Sequence, residues 1–439
     1  MNKKIQSFTL PLIASNLFQV IISLISLSII SRRSTDSLAA IAMIDSFLYA
    51  FGGILGVICL AFNIYGAKAL GAEDEKKLKD YISSIFYLSI IIGTIFMLFL
   101  LFFGRGILQI IYGFTGDLLE TATTYLFIMS PYILFTLLTF VFTNLLKIEK
   151  KTNRIFYVSI FTAVLQVVLS YIFINGELGL SPMGVLGSGL ASMISLVIMV
   201  LIYFFNLKGI LLSSIKNKPQ KMKFLLFKSI PMVLQECCEG ILFIIAFEGV
   251  VARLGVNILA TYAIIGQGLM IARLPTLMYG NAVTVFASEA NGSKSHKGVF
   301  QVGRITLFSS LSMYLGITFL IWIWKDYFFQ FFTTDPSVFQ LMPSMLPIMF
   351  IVMVVSPLYE ISKYLLQSLE RSTTVFALTA SINIIVLSII LILGNFDKLN
   401  FLRLYSLYGI NFLVLGTLFS ITFIFHMKNR FQYDSLESF

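Results

Sequence analysis

The chain has 439 residues, of which 58% are hydrophobic and only 12% are charged, and its mean hydropathy is +0.92. This balance excludes an ordinary soluble globular protein and is typical of a membrane protein with many helical spans. The net charge of +10 could indicate a nucleic-acid partner, but the Lys and Arg residues fall mostly in short loops between apolar runs. We therefore interpret them as determinants of membrane topology and expect no nucleic-acid partner.

Twelve apolar runs are long enough to cross a bilayer as α-helices. In the first half of the chain they cover residues 8–30, 38–62, 82–103, 121–146, 155–174 and 183–205. In the second half they cover residues 224–251, 258–286, 299–324, 338–366, 374–393 and 401–425. These runs predict an all-α polytopic membrane protein with an N-lobe at 1–207, a basic cytoplasmic linker at 208–223, a C-lobe at 224–427 and a cytoplasmic tail at 428–439.

The distribution of Lys and Arg predicts the orientation. These residues are concentrated in the loops on the side of the N-terminus, and the opposite loops carry few of them. Positively charged loops stay in the cytoplasm, so we expect both termini there, in a multi-pass protein of a bacterial cytoplasmic membrane. The N-terminal run has no cleavage site and is long enough to span, so we expect it to remain as a helix.

The two halves of the chain contain an internal repeat at an offset near 221 residues. The end of the second span, AFNIYGAKALGAEDEKKL, matches the end of the eighth, AVTVFASEANGSKSHKGV, and aligns Gly71 with Gly292. The motif SPYILF at Ser130 is echoed by SPLYEI at Ser356. Because six is an even number, both copies begin on the same membrane face. The sequence thus predicts two pseudo-symmetric six-helix lobes around a central cleft.

The seventh span holds three carboxylates, Glu236, Glu239 and Glu248. Placing three acids in the membrane costs about 3 kcal/mol each, and the ten Val, Ile, Leu and Phe residues between Pro231 and Val251 return about 0.5 kcal/mol each. The net insertion penalty is therefore about 4 kcal/mol. Ionisable groups inside a membrane therefore indicate a functional site. Glu236 and Glu239 are three residues apart and share a helix face, where both cannot stay charged cheaply, which suits proton uptake and release. On a regular helix Glu248 lies on the opposite face, so it is a supporting candidate or a solvated residue.

Four further polar residues are candidates for the same function. Gln235 is four residues before Glu239 and could present its amide to the site. Arg273 in the eighth span needs an anion, which the seventh span offers, either as a counter-ion that alternates with a transported cation or as a permanent structural partner. Asp45 in the second span is a functional candidate or a water-exposed cap. Glu360 in the tenth span is a candidate, and the alternative is an ion pair with Lys363, whose side chain would extend to the membrane surface.

The order of several motifs resembles the multidrug and toxic compound extrusion (MATE) family of secondary transporters, within the wider multidrug/oligosaccharidyl-lipid/polysaccharide exporter superfamily. The motifs are FTLPLIASNLFQ followed by SLAAIAM, the stretch INGELGLSPMGVLGSGLAS, and SIPMVLQECCEG, in which a glutamate follows a proline by eight residues. The resemblance covers nearly the whole chain and fades after the tenth span. No single motif is diagnostic, and the order of all of them carries the likeness.

The resemblance implies roles for particular positions. Glu239 matches the family's seventh-helix glutamate, and Glu360 lies within about one residue of an acidic position in the tenth helix. Ser26 falls where many members carry a first-helix aspartate, and Gln166 and Ser170 fall where the fifth helix often carries Asn with Asn or Asp. We therefore expect the N-lobe cation site of the family to be absent or neutral here, and cation coupling to lie in the C-lobe.

The sequence predicts a transporter rather than an enzyme, since it contains no phosphate-binding glycine loop, no metal-spaced His/Cys cluster and no nucleophile–His arrangement. We expect an exporter of amphiphilic, cationic compounds that works by H⁺ or Na⁺ antiport with alternating access, as a monomer, with membrane lipid and the substrate as its partners and no cofactor besides the coupling ion. One alternative is a flippase or dedicated exporter for a lipid-linked sugar or natural product. Another is a non-transporting membrane immunity or sensor protein.

Overall fold

The computed structural model of the chain describes the backbone of residues 1–30, 36–330, 333, 335–395 and 399–437, and the side chains of these except 23–30, 36–40, 241, 242, 395 and 430–437. In the first half the helices are α1 (Asn2–Ile30), α2 (Asp36–Gly71), α3 (Glu75–Ile110), α4 (Gly116–Met129), α5 (Tyr132–Ile148), α6 (Thr152–Asn175) and α7 (Val185–Ile215). In the second half they are α8 (Met222–Glu236), α9 (Ile245–Arg253), α10 (Val256–Gly292), α11 (His296–Ile323), α12 (Lys325–Gln330), α13 (Pro336–Val352), α14 (Ser356–Ser368), α15 (Ser372–Asn395) and α16 (Phe401–Glu437).

The described part of the chain contains 12 helical stretches long and apolar enough to cross a membrane, which confirms the predicted all-α class and number of spans. Three of the spans are interrupted. The fourth combines α4 with α5, the seventh joins α8 to α9 through a π-helical segment, and the tenth joins α13 to α14 through a 3₁₀ turn. Helix α7 continues to Ile215, so the helical structure extends into the segment predicted as a linker.

The interruptions of the fourth and tenth spans fall on the repeated Ser-Pro motif. Helix α4 ends one residue before Ser130, and α14 begins at Ser356 after the 3₁₀ turn. The prolines that follow these serines lack the N–H needed for a helical hydrogen bond, and their rings clash with the preceding turn. The fourth span, expected as one run over residues 121–146, is therefore two helices. The same break at both copies of the motif extends the repeat from the sequence to the backbone.

The chain folds into two compact units. The unit that we call the C-unit contains Met1–Thr9, Ala67–Glu73 and Ile230–Phe439, and the N-unit contains Leu10–Gly66 and Asp74–Ser229. The N-terminus and the last turn of α2 thus belong to the C-unit, although the sequence assigns them to the N-lobe. The lobe boundaries at residues 207 and 224 stay a prediction.

Each unit has its own apolar core. In the C-unit, Phe247 is fully buried and packs against Tyr408, with ring centroids 4.6 Å apart. In the N-unit, Leu137 and Ile133 of α5 are buried beside Leu48 of α2. Because lipid is as apolar as these side chains, the cores are stabilised by close packing rather than by transfer out of water.

The aligned glycines of the repeat meet within the C-unit. A Cβ atom on Gly71 would lie 2.0 Å from the carbonyl oxygen of Glu289, and one on Gly292 would lie 2.1 Å from the carbonyl oxygen of Lys68. Lys68 also forms an ion pair with Glu370. Only glycine permits such a close approach of two backbones, which gives a physical reason for the pair that the repeat aligns.

Candidate functional site

The seventh span is irregular at the point where its carboxylates lie. Helix α8 ends at Glu236, and the π-helical segment Cys237–Ile244, which contains Glu239, follows it before α9 begins. Segments of this kind are rare and often occur at functional sites. The assumption of a regular helix through Glu236, Glu239 and Glu248 is therefore wrong, although the first two still face one cavity.

That cavity lies in the C-unit and has a volume of about 220 Å³. Its described charged lining residues are Glu236, Glu239, Glu360, Lys363 and Arg273. The structure thus brings together three of the candidate carboxylates, Glu236 and Glu239 of the seventh span and Glu360 of the tenth. It adds two cations, so three negative groups face two positive ones. The cavity is below the size of drug pockets, which start near 300 Å³, and suits an ion rather than a drug.

Lys363 lies between two carboxylates. Its Nζ is 2.8 Å from Glu360 Oε2 and 3.4 Å from Glu239 Oε2, and its side chain is only 8% exposed. The structure shows the expected pair with Glu360, but the expectation that Lys363 extends to the membrane surface is wrong. A buried ammonium needs paired anions to offset its lost hydration, and here two are within reach. The ring of Tyr359 also lies 4.9 Å from Nζ.

Glu239 accepts hydrogen bonds from two neutral side chains. The Gln235 Nε2 donates to Glu239 Oε1 over 2.7 Å, and the Tyr359 hydroxyl donates to the same oxygen. Gln235 is itself oriented by Gln367, whose Nε2 donates to Gln235 Oε1 over 2.9 Å. The amide of Gln235 therefore reaches the site as expected. Tyr359 and Gln367 were missed, because no spacing within one helix indicates which residues of α14 face α8.

Arg273 pairs with the tenth span rather than the seventh. Its Nη2 lies 3.5 Å from Glu360 Oε1, and its guanidinium carbon lies 5.4 Å from the centroid of the Phe412 ring. The seventh span, which the sequence offered as one source of the anion, does not supply it among the described residues. Helix α10 packs along α14, which puts the Glu360 carboxylate closer to the guanidinium than any carboxylate of the seventh span.

The other two acids of the seventh span differ in their surroundings. Glu236 lines the cavity and is exposed, and it forms no hydrogen bond or ion pair with any described residue. Glu248 is exposed on α9 and does not line the cavity. Glu236 is thus the unpaired carboxylate of the site, and Glu248 lies outside it.

A second cavity, of about 690 Å³, lies in the N-unit. Asp45 lines it and accepts a hydrogen bond of 2.8 Å from the Tyr125 hydroxyl. Gln166 and Ser170 line it as neutral groups, and Gln166 donates to the Ser192 hydroxyl over 2.9 Å. The side chain of Ser26 is outside the described residues. Asp45 thus gives this cavity a carboxylate, which the expectation of a neutral N-lobe site left out.

The MatE family matches the chain twice, over residues 11–172 and 231–392. The chain belongs to the MatE family. The two matched segments begin at residues 11 and 231, in agreement with the internal repeat near 221 residues. Two copies of one domain in a single chain also account for the Ser-Pro breaks that the fourth and tenth spans of this MatE protein share.

Its curated relatives are described as multidrug resistance proteins. The probable multidrug resistance protein YoeA of Bacillus subtilis (strain 168) is 22% identical over 342 residues, which cover 75% of this chain and 73% of YoeA. The probable multidrug resistance protein NorM of Thermotoga maritima is 21% identical over 359 residues, which cover 79% of this chain and 75% of that protein. This MatE protein therefore belongs to a family of multidrug efflux transporters.

Solved MATE structures share the fold. The crystal structure of MATE in complex with MaL6 has a TM-score of 0.85 and 17% identity, and the alignment covers 98% of this chain and 97% of that one. A transporter of the MOP superfamily from Pyrococcus furiosus, described as having a binding pocket of reverse polarity, has a TM-score of 0.85 and 16% identity, with 98% and 96% covered. The chain is thus a multi-pass membrane protein of the MATE fold.

Proposed function

We propose that this MatE protein is a secondary active exporter of amphiphilic, cationic compounds, driven by inward flow of H⁺ or Na⁺ and coupled in the C-unit. The carrying observation is the small cavity in which Glu236, Glu239 and Glu360 face Lys363 and Arg273. Unpaired negative charge kept inside a membrane indicates an ion that comes and goes. We further propose a bacterial cytoplasmic membrane, because the relatives of the chain are bacterial proteins, with both termini in the cytoplasm on the basis of the Lys and Arg distribution.

The two cavities suggest separate tasks. The C-unit cavity of about 220 Å³ suits a small ion, whereas the N-unit cavity of about 690 Å³ falls within the range of drug pockets. Asp45 is the one charged residue among the described residues that line the larger cavity, and Tyr49 and Tyr132 line it as well. A carboxylate beside aromatic rings favours organic cations, so this cavity is the proposed substrate site.

Coupling follows from the charge of the smaller cavity. Open to the outside, it takes up the cation, and the substrate leaves. Open to the inside, it loses the cation and regains its uncompensated negative charge, while the substrate binds at the other cavity. An electrical gradient supplies about 2.3 kcal/mol per charge per 100 mV, and the concentration gradient adds to this.

The test is efflux of ethidium from proteoliposomes under an imposed pH or Na⁺ gradient. Glu239→Gln should lose the gradient dependence, because with one carboxylate fewer Lys363 and Arg273 balance the two that remain and no charge is left for a coupling ion to offset. Glu248→Gln, on the same span but outside the cavity, should behave as wild type. Unimpaired, gradient-dependent efflux by Glu239→Gln would refute the proposed coupling.

The two cations in the C-unit cavity favour a second candidate function. Lys363 and Arg273 could attract the phosphate of a lipid-linked sugar, as in a flippase or a dedicated exporter. This function predicts no ethidium efflux under either gradient, together with movement of a fluorescent lipid-linked pyrophosphate across the bilayer. A protein that moves neither probe would indicate the non-transporting alternative.

A further inference from the structure

We infer that Lys363 is a built-in cation that occupies the place of a metal ion, so that the exchangeable ion of the C-unit cavity is a single proton carried by Glu236. This inference rests on the proposed function and names its coupling ion. It follows from how the oxygens of Glu239 and Glu360 are already used.

The first step concerns Glu239 and Glu360. A bound Na⁺ needs several oxygen atoms directed at it. Here the Lys363 ammonium forms ion pairs with both carboxylates, at 2.8 Å from Glu360 Oε2 and 3.4 Å from Glu239 Oε2. Gln235 and Tyr359 donate hydrogen bonds to the other Glu239 oxygen, Oε1. Arg273 lies beside the remaining Glu360 oxygen at 3.5 Å. A Na⁺ ion at these carboxylates would meet hydrogen-bond donors and two positive charges, which repel it.

The second step concerns the remaining charge. With Lys363 and Arg273 opposite Glu239 and Glu360, the cluster is neutral, and Glu236 adds one negative charge that no described side chain pairs. Glu236 lies within the seventh membrane span, where an uncompensated charge is costly, and one proton on its carboxylate removes that charge without further ligands or space. The cluster therefore binds one proton in its neutral state and is ready to release it when the surroundings become more polar.

The groups that face Glu236 act on it in both directions. The ionisable residues around it are Glu239 on its own span, Arg273 on α10, Tyr359, Glu360, Lys363 and Tyr364 on α14, and Tyr408 on α16. The two carboxylates favour the protonated form of Glu236, and the two cations favour the charged form. Since the cations are already committed to Glu239 and Glu360, the proton is held by Glu236.

The decisive experiment compares H⁺ and Na⁺ on the purified full-length protein. In ethidium-loaded proteoliposomes a pH gradient at equal Na⁺ should drive efflux by the wild type, and a Na⁺ gradient at equal pH should not. Ethidium addition should release protons, detected with pyranine, from the wild type and from the matched control Glu248→Gln but not from Glu236→Gln. Glu236→Asp, which restores a carboxylate, should recover the release.

Lys363→Met provides a gain-of-function test. It frees the oxygens of Glu239 and Glu360, so replacement of choline chloride by NaCl should raise the thermal unfolding temperature of this variant but not of the wild type. Efflux by the wild type under a Na⁺ gradient alone, stabilisation of the wild type by Na⁺, or unchanged proton release by Glu236→Gln would each overturn the inference. If Lys363→Met does not fold, the inference is still tested by the response of the wild-type unfolding temperature to NaCl and by proton release from Glu236→Gln. Absence of efflux under both gradients would instead refute the proposed function, and the Na⁺ titration would still test the built-in cation.

Discussion

Replacing Lys363 by Met tests how the cluster in the C-unit is held together. The side chains of Lys363 and Glu360 are only 8% and 6% exposed, and the substitution leaves Glu360 and Glu239 with Arg273 as the one remaining cation among the described residues of the cavity. Removing one partner of a buried ion pair costs about 3–5 kcal/mol, because the other partner stays buried and uncompensated. We expect Lys363→Met to lower the free energy of unfolding by this amount at neutral pH in choline buffer.

The charge balance predicts which second substitution restores stability. Adding Glu239→Gln to Lys363→Met leaves Arg273 opposite Glu360, with Glu236 neutral in its protonated form, so the double variant should recover most of the loss. The matched control is Lys151→Met, which removes an exposed ion pair of the same 2.8 Å length, to Glu149, and should cost at most about 1 kcal/mol.

The assay is reversible unfolding in mixed micelles of dodecyl maltoside and dodecyl sulfate, followed by tyrosine and tryptophan fluorescence. Two results would refute the reasoning. One is a Lys363→Met variant as stable as Lys151→Met. The other is a double variant no more stable than Lys363→Met alone, because then the loss would come from packing of the lysine stem rather than from uncompensated charge.

Two further predictions concern the close backbone contact of α2 and the start of α13. Gly71→Ala should destabilise the protein by about 1–3 kcal/mol or prevent folding, because its Cβ would lie 2.0 Å from the Glu289 carbonyl oxygen. The control Gly209→Ala, inside α7 with open space around it, should not destabilise the protein in the same unfolding assay. The Ser337 hydroxyl and backbone N–H donate hydrogen bonds to the Asp335 carboxylate and hold its pKa below the usual value. This helix cap therefore contributes its full stability above the ordinary carboxyl pKa, and the contribution is lost as the pH falls through the lowered pKa of Asp335. Asp335→Ala should therefore be less stable than wild type at neutral pH and equal to it in strong acid, and a difference that persists in acid would contradict this cause.

Hydropathy and the repeat determined much of the fold from the sequence alone. Each span requires about twenty apolar residues in a row, which is a property of one segment, so the twelve spans can be counted without knowing their packing. The repeat is likewise local, because Gly71 and Gly292, or the two Ser-Pro motifs, can be aligned by their neighbours. The acids of the seventh span were also visible, since a carboxylate within an apolar run is unusual wherever the run packs.

The pairing of the charges was decided only by the tertiary structure. Whether Lys363 extends to the surface or lies between Glu239 and Glu360 depends on how α14 is rotated against the seventh span, and apolar composition gives no information on that rotation. The same holds for Arg273, whose partner is on α14, and for Gln367, which orients Gln235. The π-helical segment has no sequence signal of its own. In an apolar medium the sequence specifies which segments cross the membrane, and side-chain packing between them decides which charges meet.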